Sequence, residues 1–417
     1  MSETATAGTA QTPTQPATVA QARAVLLAGL GHLGAEVVSL GEALGRVLAE
    51  DVLAGSDLPG TDNSSMDGYA VVSADLALAG TRSLVTLPVG AEGRAGSPPA
   101  THRGGTATII ATGAPLPLGA DAVVPHEQTT RDAATGSVTF LAAPAPGDFV
   151  RVRGEDARTG TVMARAGTRL RSVDVGVCAA AGRARVTVTR RPRVAVISSG
   201  DELVAPGAVP LPHQVIDVNA AMLAAAVTEA GGVPISLGVV PDGARATTRV
   251  LEEAGAAADL IVSSAGVSMG GHDHVRDCVA ALGAVDLWTV AMRPGKPLVI
   301  GRVGTTRFVG LPGNPVSSAV TFLLFARAAI LALQGATRLL PPTFPVVLGE
   351  SLATPVGLET YVRVRLRSEG DSLVATSSGG QGSGMMRGLG DADALAIIPA
   401  GVGTVAAGAT VQAMTLP

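Results

Sequence analysis

Aromatic side chains are scarce in this sequence. They make up 2% of its 417 residues, with one tryptophan, two tyrosines and six phenylalanines. Any hydrophobic core must therefore be built from alanine, valine, leucine and isoleucine, and the hydrophobic content of 47% is enough for several cores. Because the chain is longer than a typical single domain, we expect roughly two to four domains.

The sequence also has few cysteines and only a small net charge. Cys178 and Cys278 are the two cysteines, and both lie in apolar, helix-like contexts, which indicates reduced core residues rather than a disulfide or a metal site. The net charge of −4 argues against broad nucleic-acid binding, although a local basic pocket for a small anion is compatible with it. The sequence contains no Walker A motif, no GxGxxG fingerprint and no Cys/His metal spacing.

No segment has the composition of a secretory signal or a clear membrane span. Residues 1–17 are mostly Ala, Thr, Gln and Pro, which predicts a disordered tail. The most apolar segment, 315–333, is interrupted by Arg327 and two serines, so we expect a buried or interface helix. We therefore predict a soluble, cytoplasmic protein that binds neither a membrane nor nucleic acid.

The stretch DLIVSSAGVSMGGHDHV, 259–275, combines an apolar run with a loop of small residues and a helix-like continuation. This pattern is typical of a strand, a loop and a helix start in an open α/β sheet, where ligands bind at the carboxyl ends of strands. Small residues allow backbone N–H groups to approach an anion, and a helix N-terminus favours negative charge. The alternative is a tight strand–helix connection without a ligand.

Four further loops follow predicted strands in the same region. The loops at strand ends, including the one above, are 199–202, 241–243, 263–273, 293–297 and 312–317. Parallel topology brings such ends to one edge of the sheet. Five polar or glycine-containing loops at one edge favour a binding site.

The predicted fold class is α/β plus β, in an elongated multidomain chain. A doubly wound, mostly parallel α/β domain spans 189–336, because strands and helices alternate there. A β-rich domain, 61–147, interrupts a split helical and β linker domain, 18–60 and 148–188, and a β-barrel-like domain forms 337–417. Within the linker domain, residues 39–52 have a helical pattern that places Leu40, Leu44, Val47 and Leu48 on one apolar stripe.

The residues at the predicted sheet edge indicate phosphate chemistry. Glu202, Asp242 and Asp273 are carboxylates, which near a phosphate site usually hold Mg²⁺. Arg293 and Lys296 are cations in a constrained Pro/Gly loop that suits an oxyanion. The residues alone therefore predict a phosphate- or pyrophosphate-handling enzyme that uses magnesium.

Taken together, the motifs resemble the molybdopterin molybdenumtransferase family, which includes MoeA and the carboxy-terminal domain of gephyrin. The resembling motifs are DNSSMDGYA at 62–70, TGAP at 112–115, GADAVV at 119–124, RGED at 153–156, SSGDEL at 198–203, DLIVSSAGVSMGGHD at 259–273, RPGKP at 293–297, LPGNPVS at 311–317 and GGQGSG at 379–384. They follow the family's order and cover about residues 20–400.

The resemblance implies the last step of molybdenum cofactor biosynthesis. Molybdate and adenylylated molybdopterin are the implied substrates, AMP is released, and Mg²⁺ assists. The family's fold is an elongated homodimer with the site in a cleft between subunits. The free-standing molybdopterin adenylyltransferase is a further partner that the resemblance suggests.

The resemblance also implies roles for individual residues. The expected catalytic residues are Asp62, Thr112, Asp156, Glu202, Asp242, Asp273 and Lys296. The expected substrate-binding residues are Ser199, Gly200, Ser264, Gly266, Ser268, Gly270, Arg293, Pro312, Gly313, Asn314, Arg363 and Ser383. The expected metal ligands are Glu202, Asp242 and Asp273, whereas Arg363 and Ser383 match positions that hold molybdate.

Three positions depart from the family pattern. Ala265 stands where a second glycine is usual, and His272 stands where a small residue is usual. Arg293 stands where a lysine is common, which keeps the charge but changes the geometry. Two other functions remain open at this point. One is a molybdopterin adenylyltransferase or related nucleotide pyrophosphatase on the same α/β domain, and the other is a non-catalytic scaffold.

Overall fold

The structure is a computed structural model that describes residues 16–80, 83–265 and 274–416. The chain forms an α/β unit, a closed β barrel, a six-stranded β insertion and a small unit that connects them. Both cysteines are free and buried, as the sequence predicted.

The α/β unit is built on a six-stranded sheet. Its strands lie in the spatial order Val233–Val240, Arg193–Ser199, Leu260–Ser264, Thr306–Leu311, Pro297–Val303 and Gly283–Thr289. The first four are parallel, whereas Pro297–Val303 is antiparallel to both of its neighbours. The carboxyl ends of the parallel strands therefore meet at one edge.

Helices cover both faces of this sheet. Val194 and Val196 belong to the core on one face, and Ala195 and Ile197 belong to the core on the other. Strands buried on both faces are apolar at successive positions, which explains the continuous apolar runs in the sequence. The helices of the α/β unit are Val218–Glu229, Ala244–Ala257, Val275–Leu282 and three contiguous helical segments, Pro315–Thr321, Phe322–Ala326 and Arg327–Leu333.

The apolar segment Pro315–Leu333 is a core helix. Its mean hydropathy of 2.0 and its length would suit a membrane span, but 83% of the tested stretch is buried inside the protein. Phe322, Phe325 and Ile330 pack in the same core as Val194 and Val196. The apolar composition is therefore explained by burial against the sheet.

The last unit is a closed β barrel. Five strands close it in the order Glu359–Glu369, Ser372–Ser377, Thr343–Leu348, Thr410–Thr415 and Ala394–Ile398, which pairs again with Glu359–Glu369. A short strand from the α/β unit, Met292–Arg293, adds to it in parallel with Glu359 and Thr360. The loop that follows Met292–Arg293 is thus anchored by both units.

The β insertion has its own sheet and core. Its strands lie in the order Ala122–Pro125, Gly68–Val71, Ala107–Ile110, Val85–Gly93, Ser137–Phe140 and Thr129–Asp132. Tyr69 contacts Phe140 edge-on with ring centroids 6.1 Å apart, so one of the few aromatic pairs lies in this core. Asn63–Ser64 pairs with Val150–Arg151 where the chain enters and leaves the insertion.

The connecting unit joins chain segments on either side of the insertion. Ala35–Ser39 pairs with Arg185–Thr189, Val52–Leu53 pairs with Val162–Ala164, and the helix Ser172–Ala180 packs beside them. A short helix, Val19–Leu27, packs its buried residues against the α/β core instead, although the predicted boundary placed it in the linker domain. Ala17 also bridges to Val290, whereas residues 1–15 of the predicted tail lie outside the described residues.

The helix predicted over 39–52 is wrong. The structure has one 3₁₀ turn there, Leu40–Glu42, and Leu44 is 61% exposed. Gly45 takes a φ of +74°, a left-handed conformation that ends helical geometry. Val47 and Leu48 are buried by bridges to other β segments rather than along a helix stripe.

Candidate functional site

A pocket of about 630 Å³ lies at the carboxyl ends of the parallel strands. Most of its walls come from four places: Ser199 and Glu202, Asp217 to Asn219, Ser264 and Ala265, and Pro312 to Pro315. Each follows a strand of the sheet or begins a helix beside it. This edge is where open α/β sheets bind ligands, and residues from the predicted loops 199–202, 263–273, 293–297 and 312–317 line the pocket there.

Asn219 is a pocket residue that the sequence analysis missed. Its Nδ2 donates to Ser264 Oγ and to the Gly313 carbonyl oxygen, both at 2.7 Å, so it links two of the loops. The preceding Asp217 caps the helix Val218–Glu229 by accepting from the N–H of Ala220 at 3.0 Å. The capping acid before an apolar helix was the available signal, since it marks where a helix starts at the sheet edge.

Two of the predicted acids lie beside the segment Ser199–Gly200. The Ser199 hydroxyl donates to Asp242 Oδ1 at 3.3 Å. A Cβ added at Gly200 would lie 2.6 Å from Glu202 Oε2, so the absence of a side chain at Gly200 makes room for that carboxylate. Gly200 has a φ of +147°, which disfavours other residues there. Glu202 is exposed and lines the pocket.

The chemistry of this donor set suits a hard divalent cation. Carboxylate oxygens are the ligands that Mg²⁺ prefers. Within the described ranges no group of three or more acidic, His or Cys side chains forms a metal cluster. Asp273, the third acid expected there, lies outside the described residues together with Gly266, Ser268 and Gly270.

The loop 293–297 lies at the junction of the sheet and the barrel. Arg293 and Lys296 are both exposed, and the neighbouring Pro297 lines the pocket. Gly295 is buried, and a Cβ there would lie 2.4 Å from Thr321 Cγ2, which keeps this loop close to the helix Pro315–Thr321. Lys296 is the only lysine in the chain, which otherwise uses arginine for its cations. Ammonium and guanidinium differ in shape and hydration, so an arginine at this position would not be equivalent, and a catalytic role for Lys296 stays a prediction.

Arg363 is buried inside the glycine-rich loop rather than exposed at the pocket. Its guanidinium donates to three backbone carbonyls, those of Gly380 at 2.7 Å, Gly382 at 3.2 Å and Met385 at 2.9 Å. Burial lowers the pKa of Arg363 from its ordinary value. The arginine therefore shapes the loop 379–385, and a direct molybdate contact stays a prediction.

Ser383 is near the pocket through its backbone. Its carbonyl oxygen accepts from the N–H of Val316 at 3.0 Å, in the first turn of the helix that follows Pro312 to Pro315. The barrel loop thus contacts the helix start at the pocket wall. The structure therefore places the loop that carries Ser383 next to the α/β pocket, and a contact between Ser383 and molybdate stays a prediction.

The second group of expected catalytic residues comprises Asp62, Thr112 and Asp156, none of which lines this pocket. Asp62 Oδ1 accepts from the N–H of Arg153 at 2.7 Å and lines a separate cleft of about 340 Å³. Thr112 donates its N–H and its hydroxyl to Asp67 Oδ1, at 2.6 and 2.9 Å, and these bonds hold the pKa of Asp67 below its usual value. Asp156 is exposed.

The fold and the pocket define a multidomain protein that binds a ligand at the edge of an α/β sheet, with a closed barrel attached beside the site. Three family models match successive parts of the chain. They describe the MoeA N-terminal region (domain I and II) at residues 17–182, a probable molybdopterin binding domain at 195–332 and the MoeA C-terminal region (domain IV) at 345–416. The chain belongs to the MoeA family, the molybdopterin molybdenumtransferases, as its motifs suggested.

Individual relatives agree along nearly the whole chain. A molybdopterin molybdenumtransferase of Nostoc sp. is 38% identical over 389 residues, which cover 92% of this chain and 89% of that protein. Molybdopterin molybdenumtransferase 2 of Mycobacterium tuberculosis is 38% identical over 386 residues, 91% of this chain and 94% of that protein. The crystal structure of the molybdopterin biosynthesis MoeA protein from Pyrococcus horikoshii OT3 is 27% identical, with a TM-score of 0.82, and covers 96% of this chain and 100% of that one. The predicted multidomain architecture with a terminal barrel is confirmed at this level.

Proposed function

We propose that this protein is a molybdopterin molybdenumtransferase. In this reaction water cleaves the phosphoanhydride of adenylylated molybdopterin, so that AMP leaves and the pterin keeps its own phosphate. The two dithiolene sulfurs replace two oxygens of molybdate, which take up protons and leave as water. The observation that carries the proposal is the 38% identity to relatives of that name over about nine tenths of both chains. The pocket of about 630 Å³ at the strand ends supports it, because its lining includes Pro297, the residue after Lys296.

The acids and the cations of the site have different tasks in this proposal. Lys296 and Arg293 attract the molybdate dianion and donate hydrogen bonds to its oxygens. Glu202 and Asp242, with Asp273, repel molybdate and instead hold Mg²⁺ against the phosphates. Bound there, the ion would supply positive charge to the phosphate oxygens of the bond that breaks.

The second group of residues belongs to the same proposal through a homodimer. Asp62, Thr112 and Asp156 would complete the site from the partner subunit, across a shared cleft. The connecting unit exposes the apolar side chains of Val37, Leu44 and Val173 by 55%, 61% and 60%, and in this proposal the dimer would cover them. Analytical ultracentrifugation tests the dimer. A cytoplasmic location and delivery of substrate by the molybdopterin adenylyltransferase complete the proposal.

The decisive experiment follows AMP release from adenylylated molybdopterin with and without molybdate. We expect AMP release to require both molybdate and Mg²⁺. Release of AMP at the same rate without molybdate would indicate a pyrophosphatase. Formation of adenylylated molybdopterin from ATP and molybdopterin would indicate an adenylyltransferase, and the absence of both reactions would indicate a scaffold.

A further inference from the structure

Ala265 and Gly313 touch across the pocket wall. Ala265 has a φ of +74°, a left-handed conformation that is unfavourable for any residue with a side chain. A Cβ added at Gly313 would lie 3.2 Å from Ala265 Cβ and 3.6 Å from its Cα. The two loops are therefore separated by a single methyl group, and a second one would fit only if the loops moved apart by a few tenths of an ångström.

Asn219 ties the same two loops from inside the protein. It is 8% exposed, and its Nδ2 bonds Ser264, which precedes Ala265, and the carbonyl of Gly313. The amide orientation is fixed because a carbonyl oxygen only accepts hydrogen bonds. Asn219 Oδ1 is buried without a hydrogen-bond partner in the part of the chain that the structure describes. A buried acceptor without a partner lowers the stability of the fold. Core packing alone therefore does not explain why an asparagine occupies this position.

We propose that Asn219 and Ala265 act as a clamp that sets the spacing of these two loops and so positions the nucleotide-linked substrate in the pocket. The hydrogen bonds of Asn219 hold the two loops close to each other, and the methyl group of Ala265 sets the shortest distance between them. Both are positioning residues, since they act through the loops that line the pocket. The identity of the substrate in this inference rests on the proposed function.

The clamp predicts that the number of methyl groups at the contact matters more than which loop carries them. Gly313→Ala would place two methyl groups there, Ala265→Gly none, and the double variant Ala265→Gly/Gly313→Ala one again. Gly313 has no positive φ, so alanine is compatible with its backbone and only the contact with Ala265 opposes it. Gly176→Ala is the matched control, because a Cβ at Gly176 meets nothing within 4 Å.

These variants are compared by the KM and kcat of molybdate-dependent AMP release and by the Kd of AMP in calorimetry. Small misplacements of bound substrate cost large factors in rate, so we expect Gly313→Ala to raise KM and the Kd of AMP roughly tenfold. The double variant should return both values to within about twofold of the wild type, as coupled neighbours do in a double-mutant cycle. The denaturant midpoint should rise in Ala265→Gly because the left-handed strain is relieved.

The clamp would be overturned if Gly313→Ala had the KM and the Kd of AMP of the wild type. It would also be overturned if the double variant did not return these two values towards the wild type. Asn219→Asp provides a second test, because a carboxylate oxygen facing the Gly313 carbonyl repels it; an unchanged KM and Kd would also overturn the clamp. Wild-type protein that binds AMP without turnover would reject the proposed function, and the Kd series would still test the clamp. Wild-type protein that neither turns over nor binds AMP would overturn both.

Discussion

The guanidinium of Arg363 lies 2.7 Å from the carbonyl oxygen of Gly380, inside the glycine-rich loop of the barrel. The same guanidinium also donates to the carbonyl oxygens of Gly382 and Met385. One buried cation therefore supplies the hydrogen bonds that water would otherwise give to three backbone carbonyls. The loop owes its shape to this side chain because glycines provide no packing of their own. Arg363 therefore connects the interior of the barrel to the carbonyl of Ser383 that bonds the helix at the pocket wall.

We expect Arg363→Lys to destabilise the protein although the charge is kept. A single ammonium cannot replace a planar fork that bonds three carbonyls, and buried acceptors left unpaired cost roughly 1–3 kcal/mol. Urea unfolding measures the loss. Arg365→Lys is the control, since Arg365 pairs with Asp391 at the surface and should change stability by about 0.5 kcal/mol or less. Equal losses in both variants would contradict the role given to Arg363.

The pH dependence of stability should report Asp57. Its carboxylate accepts from the N–H of Thr159, then from the Thr159 hydroxyl and from Arg153, which lowers its pKa to about 2. A depressed folded-state pKa stabilises the fold above the unfolded pKa of about 3.9, and this contribution disappears as the pH falls towards 2. Asp57→Asn should therefore be less stable than the wild type at neutral pH, and the two should converge near pH 2.

Denaturant titrations of both proteins between pH 2 and 7 check this prediction. Asp371→Asn, in the exposed turn between two barrel strands, serves as the control and should follow the wild type throughout. A gap between wild type and Asp57→Asn that stayed constant down to pH 2 would show that the effect is not electrostatic.

Glu202→Gln should reduce AMP release about a hundredfold or more without changing stability. The side chain is exposed at the pocket, so its loss removes a charge needed for the reaction rather than a packing contact. Losses of this size are typical when one group that stabilises developing charge is removed. Glu252→Gln, on the exposed side of the helix Ala244–Ala257, should leave the rate unchanged. Full activity in Glu202→Gln would remove Glu202 from the proposed metal site.

Lys296 offers a direct probe of molybdate binding, because it carries the only side-chain amine of the protein. Reductive methylation of this amine can be followed by mass spectrometry of the peptide that contains it. We expect molybdate to slow the modification several-fold by engaging the ammonium, and sulfate at equal ionic strength to slow it less. Equal rates with molybdate, sulfate and chloride would show that Lys296 does not contact the oxyanion.

Sequence patterns predicted the strands and the loops of the α/β unit well because both signals are local. The run before Ser199 and the run before Ser264 each end in small residues, and both ends line the pocket. The prediction of a helix over 39–52 failed because the signal there is not local. The bridges of Val47 and Leu48 are to Arg169 and Val188, far along the chain. Asn219 was missed because its importance comes from touching two loops distant in sequence.

The strand Met292–Arg293 belongs to one unit by its place in the chain and to another by its hydrogen bonds. It lies within the α/β segment but completes the row of hydrogen bonds along the first residues of Glu359–Glu369. A fragment that began at residue 343 would leave the N–H of Glu359, which bonds the Ala291 carbonyl at 2.9 Å, open to water or to a neighbouring molecule. In the intact protein, any tilt of the barrel must carry Arg293 with it, so the start of the loop 293–297 moves as part of the barrel.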